Sequence, residues 1–239
     1  MSAVNVSTDD GIARIELCRP DRHNAFDTAM KDQLAGAIAQ LVDDAAVRCV
    51  IVCGAGKSFS SGADLAMFEA MSAAEMQTFM LEAGWAFRRL ERLGVPVIAE
   101  VTGYCLGGGL ELALHCDMVV CAEDAVLGFP EATIGLITTV GSITRLAAAV
   151  GFVRAKELVL RGRRLTGSEA CAIGLVTEAV PESQTRARAE TIAREVARFP
   201  AQGLAAAKHI FRRHLGDAAA AWVGELEAFE TLAKMRKEH

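Results

Sequence analysis

Gly103-Tyr104-Cys105-Leu106-Gly107-Gly108-Gly109-Leu110-Glu111 stands between an apolar run, Val95-Pro-Val-Ile-Ala-Glu-Val101, and a short helical stretch around Leu110 to His115. Met118-Val-Val-Cys121 follows as a further apolar run. Strand, glycines, helix and strand in that order describe an α/β unit, with the strands buried between crossover helices. Pro96 sits at the start of its strand, where a missing N–H is tolerated. Read alone, the three glycines leave two alternatives open. Free N–H groups at a helix start can bind phosphate, and small residues also allow backbones to pack closely. The segment fits neither the Walker pattern nor the dinucleotide fingerprint, so nucleotide hydrolysis and NAD binding are set aside.

The same order extends outward. Val4 to Leu17 alternates on both sides of Asp10-Gly11 and predicts a hairpin. Met30, Leu34, Ile38, Leu41, Val42 and Ala45 recur at helical spacing, with Asp27 placed to cap. Cys49-Val-Ile-Val-Cys53 ends in Gly54 and predicts a buried strand. A helix is expected over Ala73 to Leu93, with Met76, Met80, Ala83, Phe87 and Leu90 on one face and Gly94 as the stop. Beyond Gly141 the pattern becomes mostly helical. Thr166-Gly-Ser-Glu169 reads as a capping box, Gly174 as a helix stop, and Pro181 and Pro200 as helix starts. Trp222, Leu226, Phe229 and Ala233 make a packing stripe on a final helix.

The 239 residues are 52% hydrophobic and 23% charged, an ordinary globular composition. A formal net charge of −5 does not fit a general nucleic-acid binder, which needs a dense positive face. The N-terminus has no cationic stretch leading into an apolar run, so no signal peptide is expected, and no run approaches the ~18 apolar residues of a membrane span. The seven cysteines form no C-x-x-C pair, which leaves zinc and thioredoxin-like readings without support. Reduced, buried thiols in a cytoplasmic setting are expected instead. His115 and Cys116 lack a spaced partner set and read as structural residues; no metal is expected.

Three segments in order, Ser58-Phe-Ser-Ser-Gly-Ala-Asp-Leu65, Gly103 to Glu111 and Gly128-Phe-Pro-Glu131, resemble the crotonase (enoyl-CoA hydratase/isomerase) family. Arg19-Pro-Asp-Arg-His-Asn-Ala-Phe26 resembles its N-terminal R-P-x-x-x-N-A motif. The resemblance runs from about residue 4 to 233. It implies a crotonase-like ββα spiral core with an acyl-CoA site over residues 1–180 and a helical C-terminal trimerisation region over 181–239. It also implies a thioester oxyanion held by the backbone N–H groups of Ala63 and Gly108, the latter at a helix N-terminus. Ala63, Asp64, Leu65, Ala66, Gly107, Gly108 and Thr139 are carried over as substrate-binding positions. Asp64 also reads as the cap of the segment that follows it.

Glu111 and Glu131 match the two catalytic glutamates of enoyl-CoA hydratases. The implied reaction is syn addition of water to a 2-enoyl-CoA, a lyase activity of fatty acid metabolism. Glu111 acts on water at the β-carbon and Glu131 delivers a proton to the α-carbon, the two titrating as a coupled pair. The chain departs from the hydratase pattern at Thr138-Thr139, where relatives carry Pro-Gly. Isomerisation, another acyl-CoA lyase or hydrolase reaction, and a non-catalytic acyl-CoA-binding scaffold stay open beside hydration. Coenzyme A enters as part of the substrate, with no separate cofactor. Arg22, His23 and Lys57 are candidates for its phosphates or adenine, and Lys234, Arg236 and Lys237 read as a solvated basic end. Met67, Phe68, Met71, Met80, Trp85 and Phe129 are candidate acyl-pocket residues that read first as core. A homotrimer or dimer of trimers (hexamer) is the assembly the resemblance implies.

Overall fold

A computed structural model describes residues 2–42, 44–214 and 218–238. β1 (Val4–Asp9) and β2 (Ile12–Leu17) pair antiparallel. Asp10 and Gly11 both take positive φ between them, as a tight hairpin turn demands. α1 (Thr28–Val42) starts where the Met30 N–H donates to Asp27 Oδ1 at 2.8 Å. β3 (Cys49–Gly54) leads, through a loop and α2 (Leu65–Ala70), to α3 (Ala73–Glu91), opened by a Ser72/Glu75 capping box. β4 (Val97–Val101), β5 (Tyr104–Leu106) and α4 (Gly108–Ala113) follow. Next come β6 (Met118–Ala122), β7 (Val126–Gly128), α5 (Ser142–Val150) and α6 (Phe152–Leu160). β8 (Arg164–Thr166), α7 (Gly167–Ala172), β9 (Glu178–Val180), α8 (Glu182–Ala197), α9 (Ala201–His214) and α10 (Ala218–Glu238) complete the chain.

Among the described residues the strands form two sheets. One is six-stranded in the order β1-β2-β3-β4-β6-β9, parallel after the first hairpin; the other is β5-β7-β8. Each ββα unit gives its first strand to the large sheet and its second to the small one: β4 then β5, β6 then β7. The third such step is a single bridge from Ser60 to Cys105, beyond β3. The chain thus winds as a spiral, and the start of α4 falls where the small sheet ends. The central strands are buried on both faces, so they carry no polar alternation. Val50 and Val52 face the main core, whereas Cys49 and Ile51 meet Ala189, Ile192 and Ala193 of α8.

The α/β class and the main helices are as the pattern predicts. Two differences stand out. The region after Gly141 also contains β8 and β9, each three residues long and too short to show alternation. The small sheet as a whole is built from such pieces. Val42 ends α1 half exposed and Ala45 lies beyond the helix, so neither joins the buried face. Trp222, Leu226, Phe229 and Ala233 are buried, as the stripe predicts.

Candidate active site

The loop from Ser58 to Asp64 is stitched along both sides. Phe59 and Ser60 N–H donate to the Thr102 and Tyr104 carbonyls at 2.8 and 2.9 Å, and Leu106 N–H donates back to Ser60 O at 3.0 Å. On the other flank Phe26 N–H donates to Gly62 O at 2.8 Å and Asp64 N–H to Phe26 O at 2.9 Å. Asn24, fully buried, clamps the base of the loop by donating to Ala55 O at 2.9 Å and Ser58 O at 2.7 Å. Arg19 donates to Ala25 O and Asp64. The N-terminal motif is therefore a brace for this loop. Gly62 has φ +96, and a Cβ there would sit 2.8 Å from Leu106 O, so only glycine fits.

Two amides are left over. Among the described residues neither the Ala63 N–H nor the Gly108 N–H, the first of α4, donates to a protein acceptor. They are neighbours: a Cβ on Gly108 would lie 3.8 Å from Ala63 N, and one on Gly62 would lie 3.3 Å from Gly108 N. Two free amide donors side by side can bind one oxyanion without any reorganisation.

Two carboxylates converge on the same glycines. A Cβ on Gly107 would meet Glu131 Oε1 at 2.7 Å, and one on Gly108 would meet Glu111 Oε2 at 3.8 Å. Glu111 is 1% exposed. Its Oε1 accepts from the Thr139 N–H at 2.6 Å and the Thr138 hydroxyl at 2.9 Å. Glu111 Oε2 and Glu131 Oε2 are buried and have no partner among the described residues. Burial, then repulsion from Glu131, pushes Glu111 up to about 8; burial raises Glu131 to about 7. Burial and mutual repulsion thus favour a proton on the pair over two adjacent charges.

The Thr138–Gly141 turn that supports Glu111 is itself unusual. Val140 has φ +62, a left-handed conformation that a β-branched residue adopts at a cost of about 1–3 kcal/mol. Arg145 donates to Gly141 O at 3.1 Å and is held by both oxygens of Glu91 at 2.8 Å. From α10, Glu225 Oε2 accepts the Gly141 N–H at 2.6 Å. Burial raises Glu225 to about 7. His115, behind Glu111, donates from Nδ1 to the Glu111 carbonyl at 2.7 Å; burial and Arg145 hold it neutral.

The two carboxylates and the two free amides border a cavity of about 240 Å³. Ala63, Leu65, Gly107, Gly108, Glu111 and Glu131 lie in its wall. Asp64 and Ala66 lie outside it. Asp64 caps α2 through the Met67 N–H at 3.4 Å and pairs with Arg19 at 3.1 Å. Thr139 stands behind Glu111 and spends its N–H on that carboxylate. Of the candidate acyl-pocket residues, Phe68 and Met80 line the cavity, whereas Met67, Met71, Trp85 and Phe129 do not. Phe26, Phe79, Phe87, Phe229 and Arg164 also line it; the sequence presents Phe87 and Phe229 as packing residues and none of the five as a pocket residue. Arg22, His23 and Lys57 are exposed beside the Ser61 loop, where Ser61 N–H donates to His23 O at 2.9 Å. Of the C-terminal cations, Lys234 and Lys237 are exposed, as a solvated end predicts, and Arg236 is half-buried; Lys234 pairs with Glu230, Arg236 lies near Glu69, and Lys237 donates to Glu69 O. Among the described residues no cluster suits a metal ion, and no helix is long and apolar enough to cross a membrane.

Similarity to known proteins gives the chain's family. The family model described as enoyl-CoA hydratase/isomerase matches residues 7–237. Over 193 residues, 79% of the chain, it is 41% identical to the Bos taurus enoyl-CoA hydratase domain-containing protein 2, mitochondrial. The chain spans less than two thirds of the length of that protein and of its mouse counterpart, 65% and 60%. It is 34% identical to the 2,3-dehydroadipyl-CoA hydratase of Escherichia coli over all of its own length and 93% of that protein. A crystal structure of an enoyl-CoA hydratase from Mycobacterium avium subsp. paratuberculosis superposes with a TM-score of 0.89 at 30% identity, covering 98% of this chain and 95% of that one.

Proposed function

Because this chain belongs to the enoyl-CoA hydratase/isomerase family, the crotonases, we propose that it adds water syn across the 2,3 double bond of a 2-enoyl-CoA. The observation that carries this reading is the pair of buried, unpartnered oxygens, Glu111 Oε2 and Glu131 Oε2, beside two free amides. With the thioester oxygen on the Ala63 and Gly108 N–H groups, negative charge developing there is stabilised as the enolate forms. Glu111 takes a proton from water as the water oxygen bonds C3. The electron pair of the double bond moves toward the thioester oxygen, and the Glu131 carboxyl gives its proton to C2. Glu111 ends protonated and Glu131 ionised, and one proton passed between them restores the starting state. Thr138 and Thr139 fix one Glu111 oxygen, which aims the other at the cavity.

An isomerase moves one proton between carbons and needs a single base, and a scaffold needs none. Two free carboxylate oxygens at one pair of glycines favour hydration over both. Coenzyme A belongs to the substrate in this proposal, and its phosphates fall to the exposed Arg22 and Lys57 beside the Ser61 loop. Assembly into trimers is part of the same reading, supported by Phe152, Val153, Leu160 and Phe211, which are largely exposed in the single chain. The compartment is not carried over, since the relatives include mitochondrial and bacterial proteins.

The test is an assay by product mass on short, medium and aromatic 2-enoyl-CoAs. Wild type should give a product heavier by one water. Glu111→Gln and Glu131→Gln, made separately, should each lower kcat by about 10²–10⁴-fold. An unchanged product mass points to isomerisation, and full turnover in both variants removes the carboxylates from the chemistry.

A further inference from the structure

The proposed chemistry leaves Glu225 without a role. It is a buried acid on α10, with Trp222, Leu226 and Phe229 buried on the same helix. Its Oε1 has no partner among the described residues, while its Oε2 accepts the Gly141 N–H at 2.6 Å. A side chain that only filled this site could be apolar like its neighbours, and a half-satisfied buried carboxylate is costly to keep. What it holds is specific. Gly141 follows Val140, whose φ of +62 persists only while its surroundings fix it. Val140 follows Thr139, whose N–H donates to Glu111 Oε1. Arg145 fixes the carbonyl side of the same turn, through Gly141 O. Without an acceptor for the Gly141 N–H, Val140 is free to relax toward negative φ, and the Thr138 and Thr139 donors turn with it.

We propose that Glu225 is a positioning residue for Glu111: by anchoring the Gly141 N–H it keeps the Thr138–Gly141 turn in the one conformation that pins Glu111 Oε1 and leaves Oε2 facing the cavity. The C-terminal helix thereby supports the carboxylate that acts on water. This rests on the hydration reading, in which Glu111 is that group.

The test compares Glu225→Ala with Glu225→Gln in the full chain. Both remove the charge, but the carboxamide oxygen of glutamine still accepts the Gly141 N–H. Two readouts are taken: kcat and KM on the 2-enoyl-CoA that wild type turns over fastest, and amide hydrogen exchange of the segment 138–142. Glu225→Ala should lower kcat about tenfold or more with KM within about threefold, and its segment should exchange faster. Glu225→Gln should keep kcat within about threefold and leave exchange unchanged. A folded Glu225→Ala with wild-type kcat and exchange overturns the proposal, as does a Glu225→Gln that loses as much as Glu225→Ala. If Glu225→Ala does not fold, Glu225→Asp replaces it under the same expectations, since it keeps the charge but falls a methylene short. Should wild type hydrate nothing, the hydration reading fails while the exchange comparison still decides whether Glu225 anchors the turn.

Discussion

A methyl group on Gly108 separates two roles that glycine plays at this position. The added Cβ would meet nothing closer than 3.8 Å, so the fold has room for it, and alanine in a helix gains up to about 1 kcal/mol over glycine. Yet that methyl would stand beside the Ala63 and Gly108 N–H groups, where the thioester oxygen must come. Gly108→Ala should therefore keep or raise Tm while kcat falls about 10²–10³-fold, the loss expected when an oxyanion donor is taken away. Thermal melts beside steady-state kinetics check it, and a variant with wild-type kcat would place the oxyanion elsewhere. At this scale the sequence was informative where chemistry demands a residue type. Glu111 and Glu131 stand together at consecutive glycines, and Ala63 and Gly108 carry the two free amides. Glu225 was not singled out, although a signal for it existed. It falls three residues after Trp222 and four before Phe229, which puts a carboxylate on the buried stripe of a helix.

At the scale of elements, α10 meets α3 through a gap that only a glycine leaves open. A Cβ on Gly84 would stand 2.5 Å from Trp222 Cζ2 and 3.2 Å from Val140 Cγ1. Trp222 is caught between this gap, the Trp85 ring edge at 5.4 Å and the Arg88 guanidinium at 5.2 Å. Overpacking there costs about 1–3 kcal/mol, more than helix propensity returns. Gly84→Ala should lower Tm by several degrees, at about 2–4 °C per kcal/mol in a chain of this size. Gly36→Ala, also within a helix but with nothing near its Cβ, should raise it. Equal shifts in the two variants would show that propensity, not the Trp222 contact, sets the sign. Long elements were legible because periodicity needs length: α1, α3 and the stripe on α10 each run for several turns. β5, β7 and β8 have three residues each and exist as a sheet only through pairing with one another, which no local pattern encodes.

For the molecule as a whole, a net charge of −5 says nothing about where the acids lie, and Glu111, Glu131 and Glu225 each turn a carboxylate oxygen inward without a partner among the described residues. Glu111, Glu131 and Glu225 are all raised by burial, to about 8, 7 and 7, from an ordinary value of 4.5. Between 4.5 and those values the folded chain binds protons that the unfolded chain has released. Stability from these groups is thus full below about pH 4.5 and is lost as pH rises through 7 to 8. His115 works the other way: burial keeps it neutral, so the unfolded chain gains a proton below about pH 6.5 and stability falls as the solution becomes more acidic. The two effects overlap below that value, and above it His115 is silent. The window from about pH 6.5 to 7.5 therefore isolates the acids: the thiols of Cys49, Cys53 and Cys121 are raised to about 12 in the folded chain, and below about pH 7.5 the unfolded chain, with an ordinary thiol value of 9.0, keeps those protons too. Tm should fall steadily across that window, and the fall should be shallower in Glu111→Gln, whose side chain has no proton to release. A wild-type Tm that is flat or rising from pH 6.5 to 7.5 would mean that the carboxyls are already ionised in the folded chain, and the shared proton on which hydration depends would be lost with them.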